Sequence, residues 1–164
     1  MSSSQKIMMY VGVGLLVTLA AIGLWMLLQC KGVKHEGKCY TVIAQADPTS
    51  TLLTDVAKIK DGNMDTSASK TAGTTDTTIT LNVKDATTAA PKKVKGARIT
   101  AMADAPSSGT GVDKKIKLDG LEFVFKQDGK KDSVFKLFST EKSVTGTIPL
   151  VVPSGITVYE VELI

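Results

Sequence analysis

The feature that most constrains this chain is an uncharged apolar segment near its start, residues 7–28. It reads IMMYVGVGLLVTLAAIGLWMLL and contains no Asp, Glu, Lys or Arg. As a helix it would be about 33 Å long at roughly 1.5 Å per residue, which is enough to cross a hydrocarbon core of about 30 Å. A secretory leader has a shorter apolar core and a small-residue cleavage site, and a buried core helix would need a larger body around it. We therefore predict a permanent membrane anchor.

The predicted anchor divides the chain into an N-terminal tail (1–6), a transmembrane helix (7–28), a juxtamembrane linker (29–39) and a β domain (40–164). Aromatic rings favour the headgroup region, and one lies near each end of the span. The anchor residues are Ile7, Tyr10, Leu15, Leu16, Leu19, Ile22, Trp25 and Leu28. The lipid bilayer is therefore the first predicted partner.

The charges that flank the span bear on which side of the membrane holds the body. Lys31, Lys34 and Lys38, offset by Glu36, follow the span, whereas Lys6 precedes it. This small bias favours a cytoplasmic body by the positive-inside rule. The absence of any Asn-X-Ser/Thr sequon in the chain agrees with that side. We expect a single-pass membrane protein with a cytoplasmic body, and the internal membrane of a virion would fit this arrangement.

Two cysteines, Cys30 and Cys39, lie close together after the span. They could form a disulfide in an oxidising compartment or remain thiols in a reducing one. Cys30, at the membrane boundary, is also a candidate for palmitoylation. The sequence leaves these alternatives open, and reduced thiols are the default expectation for a cytoplasmic body.

The body is dominated by short segments in which β-branched and apolar residues alternate with polar ones, a pattern typical of β-strands. The predicted strands are 39–44, 77–83, 97–102, 115–118, 121–125, 134–138, 146–152 and 156–163. Turns are predicted at Asp119-Gly120 and at 127–130, where the residues tolerate positive φ. One short helix is predicted within 50–60. About eight strands predict an all-β fold, a jelly-roll-like antiparallel β-sandwich preceded by one transmembrane α-helix.

Catalytic chemistry has few candidate groups in this chain. The single histidine, His35, lies close to the predicted span, so a His-dependent nucleophilic site in the body is not expected. Cys30, His35 and Cys39 have loose spacing and no fourth ligand nearby, which argues against zinc. No Gly-rich phosphate-binding loop is present. We therefore predict a protein that is not an enzyme and that has no cofactor, apart from a structural calcium ion that Asp61 and Asp65 could bind.

Nucleic acid is not an expected partner either. The net charge is +4 with 20 basic and 16 acidic residues, so the chain is close to balanced. Its lysine clusters at 92–95 and 114–117 have no aromatic residues between them that could stack on bases. We interpret these clusters as solvated strand faces.

The sequence Asp61-Gly62-Asn63-Met64-Asp65-Thr66 combines a turn with several oxygen donors. It is typical of a plain turn. Alternatively, Asp61 and Asp65 could join backbone carbonyls around a hard cation such as calcium. Both interpretations remain open from the residues alone.

In its context, residues 57–66 resemble the opening motif of discoidin domains, also called coagulation-factor type C domains. Residues 154–163 are similar to the closing strand of that family, 78–83 to its first core strand and 95–99 to the strand after it. The resemblance spans about residues 40–164. It implies a galactose-binding-like β-sandwich, often with one structural calcium near the Asp61 loop. The family usually has Trp after the Asp-Thr pair, whereas this chain has Ser67, and its loops contain few aromatic platforms for sugars.

These observations support two functions of different classes. The first is a membrane-anchored structural or interaction protein whose sandwich docks onto other proteins of a large assembly, with a minor capsid protein that links an internal viral membrane to the capsid shell as one setting. The alternative is a surface-displayed discoidin-like module that binds carbohydrate or lipid. A pilin-like subunit is a third arrangement with an apolar N-terminal helix and a β body. The sequence analysis favours the first.

Overall fold

The computed structural model describes residues 18, 19, 21, 30, 32–50, 53–70, 75–83 and 91–164. The chain divides into two compact units, residues 1–39 and 40–164. Leu19 is helical and 57% exposed, and the other anchor residues lie outside the described ranges: Ile7, Tyr10, Leu15, Leu16, Ile22, Trp25 and Leu28. Over the described ranges, no helix combines the length and the hydropathy needed to cross a bilayer. The membrane anchor therefore stays a prediction.

Apart from the helical residues 18, 19 and 21, the described secondary structure consists of twelve strands and one short 3-10 helix. The strands are β1 (Val33–His35), β2 (Lys38–Tyr40), β3 (Gln45–Thr49), β4 (Leu53–Thr54), β5 (Ser69–Lys70), β6 (Thr77–Val83), β7 (Lys92–Ala103), β8 (Lys114–Leu118), β9 (Leu121–Phe125), β10 (Lys131–Val144), β11 (Thr147–Val152) and β12 (Ile156–Leu163). The 3-10 helix is Val56–Lys60. An all-β fold with antiparallel pairing is therefore confirmed.

The domain is built from two main sheets. Five strands pair in the order β3-β6-β11-β8-β9, and three pair in the order β10-β7-β12. Two further pairs, β1-β2 and β4-β5, are separate from these sheets. Eight strands thus form the two main layers, as the strand count predicts.

The core lies where alternate residues of both main sheets point inward. In β6, Ile79 and Leu81 are fully buried, while Thr78, which precedes Ile79, is exposed. Phe123 of β9 and Ile99 of β7 are also fully buried and belong to the same cluster. Each such side chain stabilises the fold by roughly 1.5–3 kcal/mol relative to an exposed position. Burial of this one cluster explains why the period of two dominates the sequence.

Local backbone chemistry fixes one turn and one close approach between strands. The turn between β8 and β9 has positive φ at Asp119 (42°) and Gly120 (90°), as the two-residue hairpin requires. At Gly96 in β7, a Cβ atom would lie 2.1 Å from the Lys136 carbonyl oxygen of β10. Only glycine lets these two strands approach so closely.

Three local predictions differ from the structure. No strand is predicted at Gln45–Thr49, where β3 lies, because the alternating pattern indicates a strand over 39–44 instead. The predicted helix over 50–60 is reduced to Val56–Lys60, since Asp55 before it takes a left-handed φ of 55°. Strand β10 extends from Lys131 to Val144, beyond the predicted 134–138.

The predicted linker over 29–39 overlaps the β1–β2 hairpin, which ends at Tyr40, and Cys30 is bonded to Cys39. The default expectation of reduced thiols is wrong on this point. A disulfide also excludes palmitoylation of Cys30 in this state, because the sulfur atom is already used. Stable disulfides are characteristic of oxidising compartments.

Candidate functional site

A compact loop of oxygen donors follows the 3-10 helix, at residues 61–66. Asp61 ends the helix, and Gly62 takes a φ of 74° that lets the chain reverse. The Asp61 carboxylate accepts hydrogen bonds from the backbone amide of Asn63 at 2.7 Å and from the Thr66 hydroxyl at 2.7 Å. The Thr66 hydroxyl also lies 3.0 Å from the Asn63 carbonyl oxygen. A carboxylate, a hydroxyl and a carbonyl are thus gathered in one turn.

A buried carboxylate lies beneath this loop. Glu160 of β12 is 3% exposed, and its carboxylate accepts a hydrogen bond from the Gly62 amide at 3.1 Å. Burial, together with the nearby carboxylates of Glu162 and Asp61, raises the pKa of Glu160 to about 7, against the lowering effects of the Gly62 amide and Arg98. A second side chain with oxygen donors, contributed by the sheet, therefore joins Asp61.

Glu160 is buried because of a local irregularity in β12. Its pairing with β7 shifts register between Val158 and Glu160. The shift brings Glu160 opposite Thr100, and both residues are buried. The 3-10 helix and the loop after it lie against β12, so a position that would otherwise face water is covered.

The predicted cation ligands Asp61 and Asp65 have separate partners. Asp65 is 93% exposed at its side chain, and its carboxylate lies 3.2 Å from the ammonium of Lys131. Lys131 also donates a hydrogen bond to the Met64 carbonyl. The structure therefore joins Asp61 to Asn63 and Thr66, places the Glu160 carboxylate against the neighbouring Gly62 amide, and directs Asp65 toward β10.

The oxygen-only chemistry of the loop fits a hard cation such as calcium better than a transition metal. Within the described ranges, no three His, Cys, Asp or Glu side chains converge as a metal-binding group. A cation here would therefore depend on Asp61 and Glu160 together with neutral oxygens from Asn63 and Thr66. The Glu160 carboxylate is buried, has a raised pKa and accepts its hydrogen bond from a single amide, that of Gly62. A cation in the loop would offset the free-energy cost of burying its ionised form.

A small cavity of about 150 Å³ also borders Glu160. The residues that line this cavity are Val42, Ile43, Ala44, Gln45, Lys60, Glu160, Val161 and Glu162. The Gln45 side-chain amide donates to the Val161 carbonyl at 3.0 Å, while its buried Oε1 has no hydrogen-bond partner among the described residues. The Lys60 ammonium lies 2.9 Å from Asp47. The cavity is large enough for a few water molecules at about 30 Å³ each.

A second polar surface lies where the sandwich loops meet at one end. We call it the loop end, and it comprises residues 75–76, 104–114, 126–130 and 153–155. Around Gly155, a Cβ atom would lie 3.7 Å from a carboxylate oxygen of Asp104 and 3.9 Å from Cε of Lys114. The Asp104 amide donates to the Gly155 carbonyl at 2.9 Å. A carboxylate and an ammonium-bearing side chain therefore flank bare backbone.

Hydrogen bonds between different loops hold the loop end together. The Ser154 amide donates to the Asp76 carboxylate at 3.3 Å. The Val112 amide donates to the side-chain oxygen of Gln127 at 3.0 Å. These bonds join four separate segments of the chain, so the polar groups of the loop end have defined positions.

Glu160 and the loop-end residues were not among the predicted site residues. A signal for Glu160 was present, because the apolar positions of β12 change phase from Ile156 and Val158 to Val161 and Leu163. Such a change indicates a bulge, and bulges redirect side chains. The residues of the loop end come from distant segments, so no spacing in the sequence indicates them.

No protein-family model and no curated protein matches this sequence. Similar solved structures include the family 32 carbohydrate-binding module of C. perfringens NanJ in complex with galactose, at 15% identity and a TM-score of 0.46, covering 71% of this chain and 90% of that one. The Clostridium perfringens protein CpGH89CBM32-6 is similar at 12% identity and a TM-score of 0.44, covering 72% of this chain and 93% of that one. At these values the galactose of the first structure is not transferred to this chain.

Proposed function

We propose that this chain is a membrane-anchored, non-catalytic binding module that presents its loop end to carbohydrate on the oxidising side of the membrane. The observation that carries the proposal is the arrangement around Gly155, where Asp104 and Lys114 flank partly exposed backbone. Carboxylates accept hydrogen bonds from hydroxyl groups, and ammonium groups donate them. Adjacent hydroxyls of a sugar would satisfy both.

The composition of the loop end sets the kind of binding to expect. Its described residues include no aromatic side chain, so stacking on a sugar ring would make no contribution there. Recognition would rest on directional hydrogen bonds, which give specificity but modest affinity in water. We therefore expect weak binding that depends on the hydroxyl pattern of the ligand.

The disulfide supports the extracytoplasmic side for this module. Cys30 and Cys39 are bonded next to the predicted span, and such bonds persist in oxidising compartments. This outweighs the small lysine bias of the flanks, since that bias rests on a few charges. No specific observation favours a role in linking a capsid shell to a membrane.

Calcium is part of the proposal as a structural ion. Asp61, Asn63, Thr66 and Glu160 would hold it, and the ion would supply positive charge to the buried carboxylate. Its role would be to fix the loop at 61–66 against β12. Binding to the folded state alone would stabilise the domain by mass action.

A glycan array tests this proposal. The full-length chain in detergent would be applied with calcium and with chelator, beside Asp104→Asn and Lys114→Met variants. A Lys93→Met variant, at an exposed position outside the loop end, serves as the control with the same change of charge as Lys114→Met. We expect selective glycan binding that the first two variants lose and the control keeps. Liposomes with anionic lipid, added as competitor, would reveal lipid recognition instead. An absence of glycan binding in both arms contradicts the proposal.

The proposed side of the membrane has its own test. In sealed vesicles from expressing cells, the body should be protected from protease added at the cytoplasmic face. Digestion of the body from that face would place it in the cytoplasm, against the proposal.

A further inference from the structure

Lys131 connects the loop at 61–66 to the three-stranded sheet. It is the first residue of β10, and it pairs with Met102 of β7. Its ammonium donates to the Met64 carbonyl and lies 3.2 Å from the Asp65 carboxylate. The same ammonium lies 4.3 Å from the centroid of the Tyr159 ring on β12. One side chain therefore contacts a loop and the strand that carries Glu160.

Lys131 contacts the loop at Met64 and Asp65. A separate bond, from the Gly62 amide to the Glu160 carboxylate, holds the start of the loop. The loop is thus fixed on two sides, by a carboxylate under Gly62 and by an ammonium beside Met64 and Asp65. Without the second contact, the two exposed residues at the loop tip would have only bonds within the loop itself.

From this geometry we infer that Lys131 is a positioning residue for the cation loop, which holds the Met64–Asp65 backbone so that the oxygens of Asp61, Asn63 and Thr66 stay in place for calcium. The inference rests on the calcium site of the proposed function. A loop that is already ordered loses less conformational entropy when it binds an ion. Outer-shell partners of metal sites contribute in this way although they never touch the metal.

The charge of Lys131 acts in the opposite direction. A positive group near a bound cation weakens binding, so charge alone predicts that Lys131→Met strengthens calcium binding. The Asp65 carboxylate lies 3.2 Å from the Lys131 ammonium and largely neutralises its charge. The Lys131 side chain is 35% exposed, so water and salt screen the remaining positive charge. We therefore expect positioning to prevail over repulsion.

The test is calcium titration calorimetry on the full-length chain in detergent. The variants are Lys131→Met, Lys131→Arg and the matched control Lys130→Met, which removes the same charge at the adjacent exposed position. We expect Lys131→Met to weaken binding by about tenfold, at the low end of the range for outer-shell partners. Lys131→Arg should restore most of the affinity, and Lys130→Met should match the wild type.

Amide hydrogen exchange in chelator gives a second readout. The amides of residues 62–66 should exchange faster in Lys131→Met, while those of β6 stay unchanged. A general loss of stability would instead raise exchange across the core.

The outcomes separate the two proposals. A wild-type chain that binds no calcium contradicts the calcium site itself. A wild-type chain that binds calcium, with Lys131→Met binding equally or more tightly, overturns the positioning role alone. Faster exchange at 62–66 together with weaker binding supports it.

Discussion

Replacing Glu160 by Gln should make the calcium-free domain more stable at neutral and alkaline pH. Burial raises the pKa of this carboxyl from 4.5 to about 7 in the folded state. The folded chain therefore holds the proton more tightly than the unfolded chain, and the free energy of unfolding falls as pH rises from about 4.5 to about 7. Gln has nearly the same shape, can still accept the bond from the Gly62 amide, and does not titrate.

The size of the effect follows from the gap between the two pKa values. At about 1.36 kcal/mol per unit, ionising Glu160 in the folded state costs about 3 kcal/mol. Rearrangement of the loop would lower that cost, so this value is an upper bound. We expect the Glu160→Gln variant to exceed the wild type by about 2–3 kcal/mol at pH 8 in chelator, and to equal it near pH 4.5.

The assay is urea unfolding of the fragment 40–164, followed by far-UV circular dichroism from pH 4.5 to pH 8, in chelator and in calcium. Calcium should stabilise the wild type at pH 8 and stabilise Glu160→Gln much less, because the variant lacks a carboxylate for the ion. Glu141→Gln, on exposed β10, serves as the control for a lost charge. A Glu160→Gln variant no more stable than the wild type at pH 8 in chelator would refute the reasoning.

Three further predictions concern the fold and the linker. Gly96→Ala should destabilise the fragment by at least about 2 kcal/mol in urea, because its Cβ would lie 2.1 Å from the Lys136 carbonyl oxygen; a loss below about 0.5 kcal/mol would show that β7 and β10 separate at little cost. Phe123→Ala should cost about 3–5 kcal/mol by the same measurement, since the ring is fully buried, and a near-neutral change would contradict its place in the core. Cys30 and Cys39 should resist alkylation in the native full-length chain until a reductant is added, and labelling of both thiols without reductant would contradict the bond.

Much of the fold could be predicted because its signals are local. Strands β6, β9 and β12 begin and end where the alternation of apolar residues indicates. The turn at Asp119-Gly120 follows from residues that adopt positive φ easily. These features depend on a few neighbouring residues, and the surrounding structure does not override them.

The remaining differences arise from contacts between distant residues. Strand β3 contains Pro48 and pairs with β6 irregularly, with a register shift between Ala46 and Thr49. Proline is depleted in strands, so only the partner strand explains this element. Sequence periodicity contains no information about such pairing.

In the candidate site, too, some residues have a local sequence signal and others are placed by contacts with distant residues. Asp61 could be identified from its turn motif, because the donors it uses lie within five residues. Glu160 lies 98 positions beyond Gly62, and in an alternating strand it is read as a solvent-facing acid. Its burial depends on the bulge in β12, which the phase change of the apolar positions indicates, and on the loop that covers it, which no local window shows.

The bond between Cys30 and Cys39 also affects how the body could be released from a membrane. A protease that cuts the backbone anywhere from residue 31 to residue 38 opens a ring, and the two ends stay covalently joined through sulfur. Shedding by a single cleavage in this stretch would therefore require a reductant as well as an enzyme. If residues 7–28 form the predicted membrane anchor, a single backbone cleavage between Cys30 and Cys39 would therefore leave the β domain covalently attached to it.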